Sequence, residues 1–117
     1  MTPEDLRRFT GTENYYQQSF NRKIMYTDGV KYFVEHAGQG AYWFLDILIS
    51  EREILEQASD FACIKLEVDN FKQATISVTD GDYSPPVFTR KIHYTDCPEG
   101  IWEFYFTNNV ILLPSEY

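Results

Sequence analysis

At 117 residues, the chain is expected to form one domain over 1–117, long enough to bury a core without a metal or disulfide staple. Aromatics make up 17% of it and its net charge is −8. That predicts a dense aromatic core and disfavours direct nucleic-acid binding, because a negative field repels phosphates.

Met1-Thr2-Pro3-Glu4-Asp5-Leu6 lacks the basic head and apolar run of a secretory signal. Residues 41–49 are apolar apart from Asp46 and too few to span a bilayer. The expectation is a cytoplasmic protein with reduced Cys63 and Cys97 and no membrane partner.

Thr2 followed by Pro3, Glu4 and Asp5 reads as a helix start: a cap, a proline at the first position, and two acids where the helix dipole favours them. Thr10-Gly11-Thr12 ends that helix. Residues 13–20 carry Tyr15, Tyr16 and Phe20 without a clean period. Ile24 and Tyr26 then alternate with Lys23 and Met25, as in a half-buried strand. Asp28 is expected to cap a helix beginning at Gly29 or Val30, with Val30, Phe33, Val34 and Ala37 inward and Gly38 as its stop. A second helix from about Gly40 is expected to bury Trp43, Phe44, Ile47 and Leu48 and to extend toward Ile54 and Leu55.

From Phe61 the period becomes two. Ala62, Ile64, Leu66 and Val68 form one inward set, and Ala74, Ile76 and Val78 the next. Phe88, Ile92 and Tyr94 follow, then Trp102, Phe104 and Phe106, with turn residues between the runs and 110–113 as a candidate fifth strand. The elements predict an α+β fold in which N-terminal helices pack on an antiparallel sheet of four to five strands, a meander.

Arg22-Lys23-Ile24-Met25-Tyr26-Thr27-Asp28 recurs as Arg90-Lys91-Ile92-His93-Tyr94-Thr95-Asp96 with a single change. The flanks diverge at once, Gly29 leading into a helix and Cys97-Pro98 into a turn. One strand-and-turn device used twice is the expectation. Ile24 and Ile92 should face the core with Tyr26 and Tyr94 beside them, and Asp28 and Asp96 should bond nearby backbone.

Phosphate-binding glycine loops and a G-x-S-x-G elbow are absent. His36, His93, Cys63 and Cys97 lack the paired spacing of a structural zinc site, so no metal and no cofactor is expected. Cys97 with His93 or His36 is the sharpest catalytic alternative, against the plainer reading of a loop cysteine packed by Pro98. Glu51, Glu53, Glu56 and Asp60 would form an acidic face that steers a basic partner. With Tyr15 and Tyr16 they are the candidate partner-binding residues.

Phe9-Thr10-Gly11-Thr12, Tyr26-Thr27-Asp28-Gly29-Val30-Lys31-Tyr32-Phe33 and Gly40-Ala41-Tyr42-Trp43-Phe44-Leu45-Asp46-Ile47 resemble an uncharacterised family of short bacterial proteins. Tyr94-Thr95-Asp96, Pro98-Glu99-Gly100, Trp102, Phe104-Tyr105 and Leu112-Leu113-Pro114-Ser115-Glu116-Tyr117 are similar to it as well. That family is a domain of unknown function often carried on plasmids, prophages and other mobile elements, and the resemblance brings no catalytic residues. Together with net charge −8 and no catalytic constellation, it makes the expectation a small, acidic, non-catalytic accessory protein that binds another protein, one that is basic or binds nucleic acid. An anti-defence (anti-CRISPR-like) inhibitor occupying a nucleic-acid-binding surface is the expected form. The alternatives are a small enzyme or small-ligand-binding module with a Tyr/Trp-lined pocket, and a homodimer joined through Tyr-rich faces.

Overall fold

The computed structural model describes residues 1–17, 24–50, 61–80 and 85–117. A 3-10 helix (Pro3–Arg8) leads into strands β1 (Tyr15–Gln17) and β2 (Met25–Thr27), then helices α1 (Asp28–His36) and α2 (Tyr42–Ser50). Strands β3 (Phe61–Val68), β4 (Ala74–Thr79), β5 (Phe88–Ile92), β6 (Gly100–Thr107) and β7 (Val110–Leu112) follow, and a 3-10 turn (Pro114–Glu116) comes last. The class is α+β, as expected.

The sheet differs from the expected four- or five-stranded antiparallel meander. Among the described residues it has seven strands in the order β1-β2-β7-β6-β3-β4-β5. Only β3, β4 and β5 meander; β6 returns to the far side of β3, and β2 lies parallel to β7. Two strands therefore precede the helices. The second, β2, is the half-buried strand expected at Ile24 and Tyr26; β1 was not expected, because its three residues are too short to present a period of two.

Burial follows the predicted alternation in the long strands. Ala62, Ile64, Leu66 and Val68 of β3, Ala74, Ile76 and Val78 of β4, and Trp102, Phe104 and Phe106 of β6 are all buried. Helix α1 covers them with Val30, Phe33 and Val34, and Ala37 at its C-cap is buried too. The Phe33 ring lies 5.0 Å from Trp102, 5.1 Å from Phe104 and 6.0 Å from Phe44. This aromatic knot ties α1, α2 and β6 together. Trp102 donates its indole N–H to the Pro98 carbonyl at 3.0 Å, so its burial leaves no orphan donor.

Helix α2 buries Phe44, Leu45, Leu48 and Ile49, with Trp43 and Ile47 half-buried rather than central. A nearly all-apolar stretch carries little directional signal, so the neighbours choose its face. The expected extension through Ile54 and Leu55 lies outside the described residues.

Several local expectations are also corrected. Thr27, not Asp28, caps α1: its hydroxyl accepts the Val30 N–H at 3.4 Å. At the N-terminus Thr2 is the cap as expected, with Asp5 accepting its N–H at 2.8 Å, but the element is a 3-10 helix. Strand β5 stops at Ile92, so Tyr94 lies beyond it and is exposed, whereas Tyr26 is buried.

The two copies of the repeat lie at opposite ends of the sheet, with β7, β6, β3 and β4 between β2 and β5. What they share is the Thr-Asp pair. Thr27 and Thr95 are both buried, and each hydroxyl accepts a backbone N–H just downstream, from Val30 and from Cys97. Asp28 and Asp96 each reach to another segment: Asp28 accepts from Glu13 and Asn14, and Asp96 from Gln39.

Candidate protein-binding surface

The helices cover one face of the sheet and the other carries the remaining alternation. Register sets out that outer face in rows: Tyr105, Cys63 and Thr79; then Glu103, Lys65, Ser77 and Thr89; then Ile101, Glu67, Thr75 and Lys91. Two lysines balance two glutamates there. Because β4 contributes only Thr and Ser, a trough of about 390 Å³ opens on this face, lined by Cys63, Lys65, Ser77, Thr79, Glu103 and Tyr105 among others. Neither tryptophan lines it; Trp102 is locked in the core. A Tyr/Trp pocket is therefore not what this trough provides.

At one end of the sheet three segments converge. The β3–β4 turn holds Phe71, the crossover from β5 to β6 holds Tyr94, and Ile101 is the second residue of β6. The Thr95 N–H donates to the Lys72 carbonyl at 2.9 Å, fixing crossover against turn. Asp69 shapes the turn by accepting the Phe71 and Gln73 N–H groups at 2.9 and 3.0 Å, and Lys72 takes a positive φ of 61°. Phe71 is 76% exposed, Tyr94 69% and Ile101 53%. Glu67 is the register partner of Ile101, Asp69 and Glu99 flank the adjoining Val68–Gly100 pair, and Lys72 lies in the same turn. Large apolar side chains in open solvent with acids around them are the composition of an interface centre and its rim.

The sequence-predicted binding residues do not join this end. Tyr15 is exposed on the opposite edge strand, and Glu51, Glu53, Glu56 and Asp60 lie outside the described residues. Tyr16 is engaged inside the fold. Its hydroxyl donates to Asp28 at 2.8 Å, its ring lies 5.6 Å from Tyr26, and the Lys31 ammonium sits 4.9 Å above it. Phe71, Tyr94 and Ile101 were missed, although two of them left a trace. Phe71 is an aromatic inside a polar turn, and Ile101 breaks the parity set by Trp102, Phe104 and Phe106.

Much of the acidity serves the backbone. Asp5, Asp28, Asp69, Asp96 and Glu116 each accept at least one main-chain N–H. These carboxylates explain part of the net charge without a partner. Cys97 is buried and its thiol is pushed up to about 12 by desolvation and then by the Asp96 charge. A nucleophile needs the thiolate, so this environment opposes that role. His36 stacks on Tyr32 at 4.2 Å and His93 is exposed. Among the described residues no three His, Cys, Asp or Glu side chains form a ligand cluster. Among them, too, no helix is long and apolar enough to cross a membrane.

A family model matches residues 1–117. The chain belongs to DUF6876, a family of unknown function. No curated protein and no solved structure matches it.

Proposed function

We propose that this member of DUF6876 is a small acidic accessory protein, cytoplasmic and without chemistry of its own, that acts by binding another protein at the turn end of its sheet. The joint exposure of Phe71, Tyr94 and Ile101 beside Glu67, Asp69 and Glu99 carries the reading. The aromatic side chains supply the adhesive area, while the acids select a basic partner and speed its encounter. The partner class proposed is a protein whose basic surface otherwise holds nucleic acid. The role proposed is inhibition of that protein, an anti-defence (anti-CRISPR-like) function for a chain carried on a mobile element. Net charge −8 supports it, since that field repels nucleic acid and attracts what binds nucleic acid.

The test is capture of a host partner by the purified chain at low and high salt, repeated with a Phe71→Ala/Tyr94→Ala variant. Both side chains are exposed, so the variant keeps the fold. The expected partner is released by salt, competed off by nucleic acid and lost by the variant. A partner held equally through high salt and by the variant would sink the proposal. A small-ligand module is the competing reading, supported by the trough at Lys65, Ser77 and Glu103. Ser77→Arg, which fills that trough, should leave partner capture intact; loss of capture would favour the competing site.

A further inference from the structure

Among the described residues, the sheet has one long edge with no strand beyond it. Strand β5 pairs with β4 on one side and is the last strand of the order. Elsewhere the fold covers its openings. The first half of β6 has no strand beyond it, because β7 pairs only with Tyr105, Phe106 and Thr107. The two 3-10 segments pack along β6 and against each other there. The β1 edge is three residues long. Strand β5 runs for five residues, Phe88–Ile92, with no proline or glycine inside it. Thr89, Arg90 and Lys91 are exposed. Such an edge offers a row of backbone donors and acceptors to any extended chain.

Charge narrows what it accepts. Arg90 is the register partner of Ile76 and so stands on the helix side, whereas Lys91 pairs with Thr75 on the outer side. Lys91 shares a cavity with Glu67 and Asp69, whose charges oppose its own; among the described residues Arg90 has the apolar Ile76 as its register partner and no acid. In a second copy paired antiparallel about the strand centre, Arg90 would lie directly opposite Arg90, and like charges so placed are destabilising. A carboxylate in that position is favoured instead. Val87 and Tyr94, both exposed, bracket the strand and offer an apolar contact at each end.

We infer that β5 accepts an extended segment of another protein as an eighth strand, with a carboxylate opposite Arg90 and an apolar residue toward each end. This edge adjoins the turn end and shares Tyr94 with it, but it reads backbone and an acidic side chain rather than a basic surface. Variants at Arg90, which leave Phe71 and Ile101 untouched, therefore separate this inference from the function proposed above. Main-chain bonds supply affinity in this mode and side chains supply choice.

The test uses the full chain and two synthetic peptides of about eight residues, a length that spans Val87 to Tyr94 at the rise of a strand. Both are Thr/Val-rich with apolar ends; one carries Glu at its centre, the other Lys. The readout is amide exchange of β5 followed by NMR. The Glu peptide should slow exchange at Thr89, Arg90 and Lys91, and bind up to about fivefold tighter than the Lys peptide, as expected for a cross-strand charge pair. Arg90→Glu should reverse that preference, and Arg90→Gln should abolish it while leaving the fold intact. Three results would overturn the inference. These are no slowing with either peptide, which leaves Arg90 and Lys91 as guards of the edge; equal slowing with both; or concentration-dependent protection of β5 without peptide, which makes a second copy the occupant.

Discussion

Asp28 shows how one side chain organises several segments. Its carboxylate accepts the Glu13 N–H at 3.0 Å, the Asn14 N–H at 3.3 Å and the Tyr16 hydroxyl at 2.8 Å, while its own N–H donates to Thr12 at 3.0 Å. The Tyr16 hydrogen bond first, then the Glu13 N–H, holds the carboxyl below its ordinary value; the same bond to Asp28 pushes the Tyr16 hydroxyl up. A depressed carboxylate contributes stability that is complete above its unfolded value, about 3.9, and is lost as pH falls through the folded value. Asp28→Asn should therefore be less stable than wild type at pH 7, with a gap that holds down to about pH 5 and closes in more acid solution. Urea midpoints of both proteins from pH 7 to pH 2 measure it. A gap that stayed constant across that range would show that the charge itself contributes nothing.

At the scale of elements, α1 was largely legible and its start was not. The inward spacing of Val30, Phe33, Val34 and Ala37 and the stop at Gly38 were readable because a helix buries one stripe and ends where a positive φ is needed; Gly38 takes 59°. The long strands were readable for the same kind of reason. No local pattern reports that Glu116 reaches the first turn of α1. There it accepts from the Gly29 N–H at 3.2 Å and the Thr27 hydroxyl at 2.6 Å. The candidate surface was only partly legible likewise, since pairing between distant strands brings the segments that carry Phe71, Tyr94 and Ile101 to one end of the sheet.

Gly29 records the close approach of Glu116. A Cβ there would stand 2.5 Å from the Leu113 side chain and 2.9 Å from the Glu116 carboxylate. Alanine in place of a helical glycine ordinarily gains about 1 kcal/mol, whereas crowding a packed contact costs about 1–3 kcal/mol. Crowding should win or cancel at this site, so Gly29→Ala is expected to lower the unfolding free energy in urea or leave it flat. A gain approaching the full helix-propensity value would mean that the C-terminal turn does not press on α1.

At the scale of the whole molecule, β7 is the hinge of the topology. Among the described residues, the β1–β2 pair joins the other strands through β7 alone. Met25 and Tyr26 lie parallel to Val110 and Ile111, and Tyr105, Phe106 and Thr107 face β7 from the other side. Parallel pairing between segments so far apart in the chain follows from no local period, which is why a meander was the natural expectation. It also makes Ile111, fully buried, the residue whose packing joins the two parts of the sheet. Ile111→Ala should cost about 2–5 kcal/mol, a large share of the roughly 5–15 kcal/mol that holds a domain folded. The loss should be uneven. Exchange of β1 and β2 amides should accelerate more than exchange in β3 and β4, which keep their own partners. Ile111→Val, a milder cut, serves if the alanine variant does not fold. Uniform acceleration across all strands would mean that the sheet opens as one unit and that β7 joins no separable parts.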